Sequence, residues 1–194
     1  SYSKSNGVEC QNNVITKLNL GDIMLRDKIP ISLFNLTSLT NLCLPMLGLN
    51  GKIMKEVGKL SQLSGITLYN NNLTGVIPFA DFAKMKHLTY IHLGSNKFSG
   101  SITKEIGQLK YLDNLRLSDN LLSGEVPLEI GSTNIGNMDL SNNRLTGKLP
   151  LTLLQLPLFQ QQIGTFDISY NQFDYPPHEK IMKRCLRFGS LCIG

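Results

Sequence analysis

The sequence predicts an α/β solenoid, a chain coiled so that short strands from successive copies join in one parallel sheet. Three observations predict it. A phrase of roughly constant length recurs seven times, starting at Ile15, Leu39, Leu63, Leu88, Leu112, Ile135 and Ile163, with spacings of 24, 24, 25, 24, 23 and 28 residues. Within each copy apolar residues alternate, as a strand with one buried face requires. An asparagine and a glycine then follow at fixed offsets, where the chain must leave the strand.

The template is L-x-x-L-x-L-x-x-N-x-L-x-G-x-I-P. Its sixth position is Leu20, Leu44, Leu68, Leu93, Leu117, Leu140 and Ile168. Each strand is too short to be stable alone, so stacking must bury a shared ribbon of leucines. The ninth position is Asn71, Asn96, Asn120, Asn143 and Asn171 in the last five copies. An amide both donates and accepts, so it can satisfy backbone groups in the bend and in the neighbouring coil. Gly51, Gly75, Gly100, Gly124 and Gly147 permit a tight turn without a Cβ clash. Pro30, Pro78, Pro127 and Pro150 then keep the next segment out of a central sheet.

Three copies depart from the template, the first two and the last. Ile23 and Leu47 stand where the asparagine belongs, and Asp27 replaces the first glycine. An apolar residue there is expected to pack without satisfying the corner, leaving a less regular N-terminal end. The last copy keeps "FDISYNQFDYPP" but lacks the glycine, and "LLQLPLFQQQ" (153–162) precedes it as an expected bulge in a loop or on the helical side.

"LTYIHLGSNKFSGSITKEIGQLKYL" and "LDNLRLSDNLLSGEVPLEIG" closely resemble the plant-type class of the leucine-rich repeat family. The resemblance implies a right-handed, curved superhelix with the parallel sheet on its concave face. It also implies a second, smaller run of strands around L-x-G-x-I-P, and convex turns in segments such as "KEIGQL" and "ISLFNL". The domain reading is an N-terminal cap at 1–14, seven repeats over 15–176 and a C-terminal cap at 177–194. "NGVECQNNVITKLNL" resembles the family's N-terminal cap, but Ser3 and Ser5 stand where its earlier cysteine and tryptophan would be. Cys10 is left free or paired with Cys43. "HEKIMKRCLRFGSLCIG" resembles a C-terminal cap, in which Cys185 and Cys192 are either a disulfide pair closing a loop around Gly189 or two packed thiols.

Composition limits the function classes. The 194 residues are 41% hydrophobic and 7% aromatic with no tryptophan, so the core must be aliphatic. The net charge is +5, and no basic cluster interleaved with aromatics points to nucleic acid. The most apolar stretch, "LPLTLLQLPLF", is too short to span a bilayer and holds two prolines. "SYSKSNGVEC" is polar and does not read as a secretory leader. His87, His92 and His178 lie far apart, and no zinc, nucleophile-elbow or phosphate-loop spacing occurs. The chain is therefore read as no enzyme, with no cofactor and no metal. Asn35-Leu36-Thr37 and Asn72-Leu73-Thr74 are glycosylation candidates, although the repeat template itself generates "NLT". They point to an extracellular or cell-surface protein.

Function is sought on the concave face. Strand positions two, three, five, seven and eight point outward, and the same position in successive repeats forms a row. Position five reads Asn19, Cys43, Thr67, His92, Arg116, Asp139 and Asp167. Tyr69, Tyr90, His92, Asn114, Arg116 and Asp139 are the candidate ligand-binding residues, because tyrosine, arginine and amides suit recognition of a protein or peptide. An exposed Arg116–Asp139 ion pair is the blander alternative. Position two begins Thr16, Thr40, Ser64, Thr89 and then breaks at Asp113, Gly136 and Gly164, as expected of small strand formers rather than an ice- or sugar-binding row. The resemblance implies a receptor ectodomain or secreted relative. A secreted hydrolase inhibitor like the polygalacturonase inhibitors would use the same face, and four free thiols would favour an intracellular scaffold.

Overall fold

In the computed structural model, residues 7–21, 23–161, 164–174 and 178–181 are described. The repeated strands form a main sheet of eight: Gly7–Gln11, Val14–Asn19, Asn41–Cys43, Gly65–Thr67, Tyr90–His92, Asn114–Arg116, Asn137–Asp139 and Phe166–Asp167. All neighbours from Val14–Asn19 onward are parallel. The register pairs like with like, Leu18 with Leu42, Ile66, Ile91, Leu115, Met138 and Phe166 in turn.

The first strand is the exception. Gly7–Gln11 runs antiparallel to Val14–Asn19 through a two-residue turn, with Asn12 and Asn13 at φ 51° and 63°. Two left-handed residues make the hairpin turn whose twist suits paired strands. Glu9 opposes Lys17, and their side chains form an ion pair at 2.8 Å. The strand Gly7–Gln11 thus covers the sheet edge by backbone pairing and this ion pair, with no disulfide between Cys10 and Cys43, which are both free.

A second sheet of six short strands runs from Asn50–Gly51 to Gln172–Phe173. Its glycines, from Gly51 to Gly147, have φ between 73° and 80°, which explains the residue at that corner. The opposite side carries 3₁₀ turns at Ile31–Asn35, Lys55–Lys59, Lys104–Gln108, Leu128–Ser132 and Leu151–Gln155. Helical turns are broader than the ~4.8 Å strand spacing, so the ribbon curves with the main sheet inside. Crowding on the helical side is relieved at Gly107 and Gly131. A Cβ on Gly107 would lie 2.6 Å from the Glu129 carbonyl oxygen, and one on Gly131 2.4 Å from that of Thr152.

The longer spacings are absorbed by α-helical turns, Phe79–Phe82 and Pro157–Gln161. The second lies in the segment expected to bulge. Instead it packs, burying Leu158 and Phe159, with the Phe159 ring 4.8 Å from that of Phe166. Apolar content drives the segment inward.

The asparagine ladder is out of phase with its own repeat. Asn71 Oδ1 accepts the Leu47 and Leu49 N–H groups of the preceding repeat at 3.1 and 2.9 Å, while Nδ2 donates to the Leu44 and Leu68 carbonyls. Asn96, Asn120, Asn143 and Asn171 do the same for Leu73, Phe98, Leu122 and Leu145. Leu47 in repeat two therefore disrupts repeat one. Leu25 N–H turns to the Leu47 carbonyl at 2.9 Å, and Leu25 is 49% exposed although Leu49, Leu73, Phe98, Leu122 and Leu145 are buried. Of the two apolar replacements, Leu47 packs as expected, but Ile23 stands 53% exposed because no corner folds it inward.

Candidate functional site

The six candidate residues come together on the main sheet. Tyr90 and Asn114 are register partners, as are His92, Arg116 and Asp139. Tyr69 follows the strand Gly65–Thr67 and reaches across to repeat four. Its ring stacks on His92, with centroids 4.5 Å apart and planes at 22°. Tyr90 meets the same imidazole edge-on at 6.1 Å, and its Oη lies 3.3 Å from His92 Nδ1. An aromatic floor is thus built from three side chains on adjacent strands, held by backbone that the core fixes.

Burial depresses the His92 pKa to about 4, the Arg116 charge adds to the effect, and Asp139 partly opposes it. The imidazole is therefore neutral at ordinary pH. Cys43, farther along the row, is half-buried, and burial pushes its thiol pKa up against a hydrogen bond with Thr67. Thr67 itself was expected to face outward but is buried, hemmed in by its row neighbours Cys43 and His92.

Arg116 is exposed and makes no ion pair with Asp139 among the described residues. Asp139 turns instead to its own strand end, where Oδ1 accepts the Ser141 hydroxyl at 2.6 Å and N–H at 3.1 Å. Asp167, in the row but outside the candidate set, does the same with Ser169 at 2.7 and 2.9 Å. The D-x-S spacing is the sequence signal for this. Asn114 Nδ2 donates to Asp113 at 2.6 Å, and Asn142 Nδ2 donates to Asp119 at 2.6 Å.

The position-two hydroxyls are committed to the sheet. Thr40 donates to the Thr16 carbonyl, Ser64 to that of Thr40, and Thr89 to that of Ser64, at 2.8–3.0 Å. Asn35 and Asn72 are exposed and lie off the main sheet, on a 3₁₀ turn and a second-sheet strand. Cys185 and Cys192 lie outside the described residues. Among the described residues no group of three or more His, Cys, Asp or Glu could hold a metal ion, and no helix is long and apolar enough to cross a membrane.

The leucine rich repeat model matches residues 87–109 and 134–156. A plant ice-binding protein is 30% identical with a TM-score of 0.76, over 86% of this chain and 53% of that one. The Arabidopsis receptor kinase HAESA, solved with the peptide hormone IDA and the co-receptor SERK1, is 32% identical with a TM-score of 0.76, over 82% of this chain and 26% of that one. A chain of the BIR3–SERK2 complex from Arabidopsis thaliana is 35% identical with a TM-score of 0.64, over 73% of this chain and 77% of that one. The chain spans about half the length of the ice-binding protein and about a quarter of HAESA. No curated protein matches the sequence. With the repeats, the ladder and these likenesses together, the chain belongs to the plant-type leucine-rich repeat family.

Proposed function

We propose that this chain is a non-enzymatic recognition module that binds a protein or peptide through the concave sheet, in an extracellular or cell-surface setting. The observation that carries this reading is the cluster of Tyr69, Tyr90 and His92 beside an exposed Arg116. Aromatic and guanidinium groups bury large area and still make directed hydrogen bonds. Mounted on a sheet, they lose little freedom on binding. The relatives support the reading, since HAESA is seen with a peptide hormone and a co-receptor, and BIR3 with SERK2. Glycans on Asn35 and Asn72 would leave the concave face open.

The ice-binding relative raises a second reading. The hydroxyls of Thr40, Ser64 and Thr89 already donate to strand carbonyls, and the row then reaches a carboxylate at Asp113. A surface that orders water needs a regular unbroken array, which weighs against that role for this row.

The test is capture from extracellular fluid of a plant. Wild-type chain should retain a partner that the Tyr90→Ala/Arg116→Ala double variant loses. Equal retention by both removes the concave-face assignment. Measurable inhibition of ice recrystallisation by the wild type would favour the second reading.

A further inference from the structure

The concave face carries the opposite charge to the rest of the molecule. In repeats four to seven its outward positions hold Asp113, Asp119, Asp139 and Asp167 against the single cation Arg116, a net of three negative charges on a chain of net charge +5. His92 adds no positive charge at neutral pH, because burial holds its pKa down at about 4.

These carboxylates are oriented but not neutralised. Asn114, Asn142, Ser141 and Ser169 hold them through neutral donors. None is in an ion pair among the described residues, where the pairs are Lys17–Glu9 and Lys84–Asp81. In Asp139 and Asp167 both short contacts fall on Oδ1, and Oδ2 accepts no hydrogen bond among the described residues. The two side chains are register partners on adjacent strands, so two free acceptors sit side by side. Beyond Arg116, toward repeat three, lies the aromatic floor. The face is therefore apolar and aromatic at one end and anionic at the other.

A phosphate backbone or an acidic lipid surface would be repelled by this end. A cationic segment would be attracted, with the association strongest at low salt. Three strand spacings separate His92 from Asp167, roughly 14 Å, which an extended chain covers in about four residues.

Resting on the reading of this sheet as a recognition surface, we infer that its occupant is an extended peptide segment of defined pattern. An aromatic or aliphatic side chain lies on Tyr69, Tyr90 and His92, and an arginine or lysine about four positions away lies on Asp139 and Asp167.

The experiment selects displayed random peptides, long enough to cross the sheet, on the purified chain at low ionic strength. Binding of the selected peptides is then measured by fluorescence anisotropy. Expected is a pool in which an apolar or aromatic residue is followed or preceded by Arg or Lys at about four positions. Affinity should fall at least about tenfold in Asp139→Asn/Asp167→Asn, and much less in Lys55→Ala. Asparagine keeps the acceptor for Ser141 and Ser169, so the fold is retained, and an unchanged melting temperature verifies it. Neutral or acidic winners, indifferent to the Asp variants but lost on Tyr90→Ala, overturn the charge pattern and leave the recognition reading standing. Winners indifferent to both sets of variants, or no winners, overturn both.

Discussion

Asn71 closes the corner of the repeat before its own: its Oδ1 accepts the Leu49 N–H at 2.9 Å, and its Nδ2 donates to the Leu44 carbonyl at 2.9 Å. Each asparagine thereby bolts two coils together, and a substitution in one repeat should be felt in the previous one. In Asn120→Ala, the Phe98 N–H loses its acceptor, and the Leu93 and Leu117 carbonyls keep only the Asn96 and Asn143 amides as side-chain donors. The expected cost is about 1–3 kcal/mol. Amide exchange should accelerate first at Phe98, in repeat four, and acceleration confined to repeat five would contradict the ladder.

Two glycines should fail for different reasons. Gly107→Ala drives a Cβ to 2.6 Å from a backbone oxygen of the next repeat, so overpacking should cost about 1–3 kcal/mol. Gly124→Ala has room, with the nearest atom at 3.5 Å, but must hold φ +77°. There the left-handed strain costs about 1–2 kcal/mol. Urea unfolding midpoints measure both, and D-alanine introduced by chemical synthesis should rescue position 124 but not position 107.

His92 gives the fold a pH dependence. Its pKa is about 4 folded against 6.5 unfolded, so between these values the unfolded chain binds the proton and the folded chain does not. Stability contributed by the neutral ring is complete above the unfolded value and falls as pH drops from about 6.5 toward 4, then levels off. His92→Gln should flatten that portion of the stability–pH curve. An unchanged slope would show that another group produces it.

The thiols should differ in reactivity. Cys10 is exposed on the edge strand, whereas Cys43 is half-buried, with its pKa raised chiefly by desolvation. Iodoacetamide at neutral pH should label Cys10 well before Cys43. Equal rates would mean that the concave row is more open at Cys43 than described.

Much of this was legible in the chain itself, for reasons that differ by residue. A repeat fixes its own register, so Leu18, Leu42 and their successors could be aligned before any strand was seen. Local turn chemistry was harder. Asn12 and Asn13 carry a hairpin signal that lay hidden inside the cap resemblance, and the left-handed eighth position falls on Met46 and Tyr170 as well as on asparagines. The exposure of Ile23 is not visible in its own repeat, because the residue placed to close that corner is Leu47 of the next one. The candidate site was found from the row, but the stacking of Tyr69 on His92 crosses positions seven and five, which no single row reveals. The row leaves an Arg116–Asp139 ion pair open as an alternative, but the Ser141 hydroxyl captures the carboxylate instead.

The concave face is the proposed binding surface, and equilibrium affinities of four single variants for one captured partner test it. Tyr90→Ala and Arg116→Ala should each weaken binding by more than about 1 kcal/mol while leaving the unfolding midpoint unchanged. Lys55→Ala and Lys104→Ala, on the 3₁₀ turns of the convex side, should stay within about 0.5 kcal/mol of wild type. Loss of binding in the lysine variants with full affinity in the concave ones would move the site to the helical side.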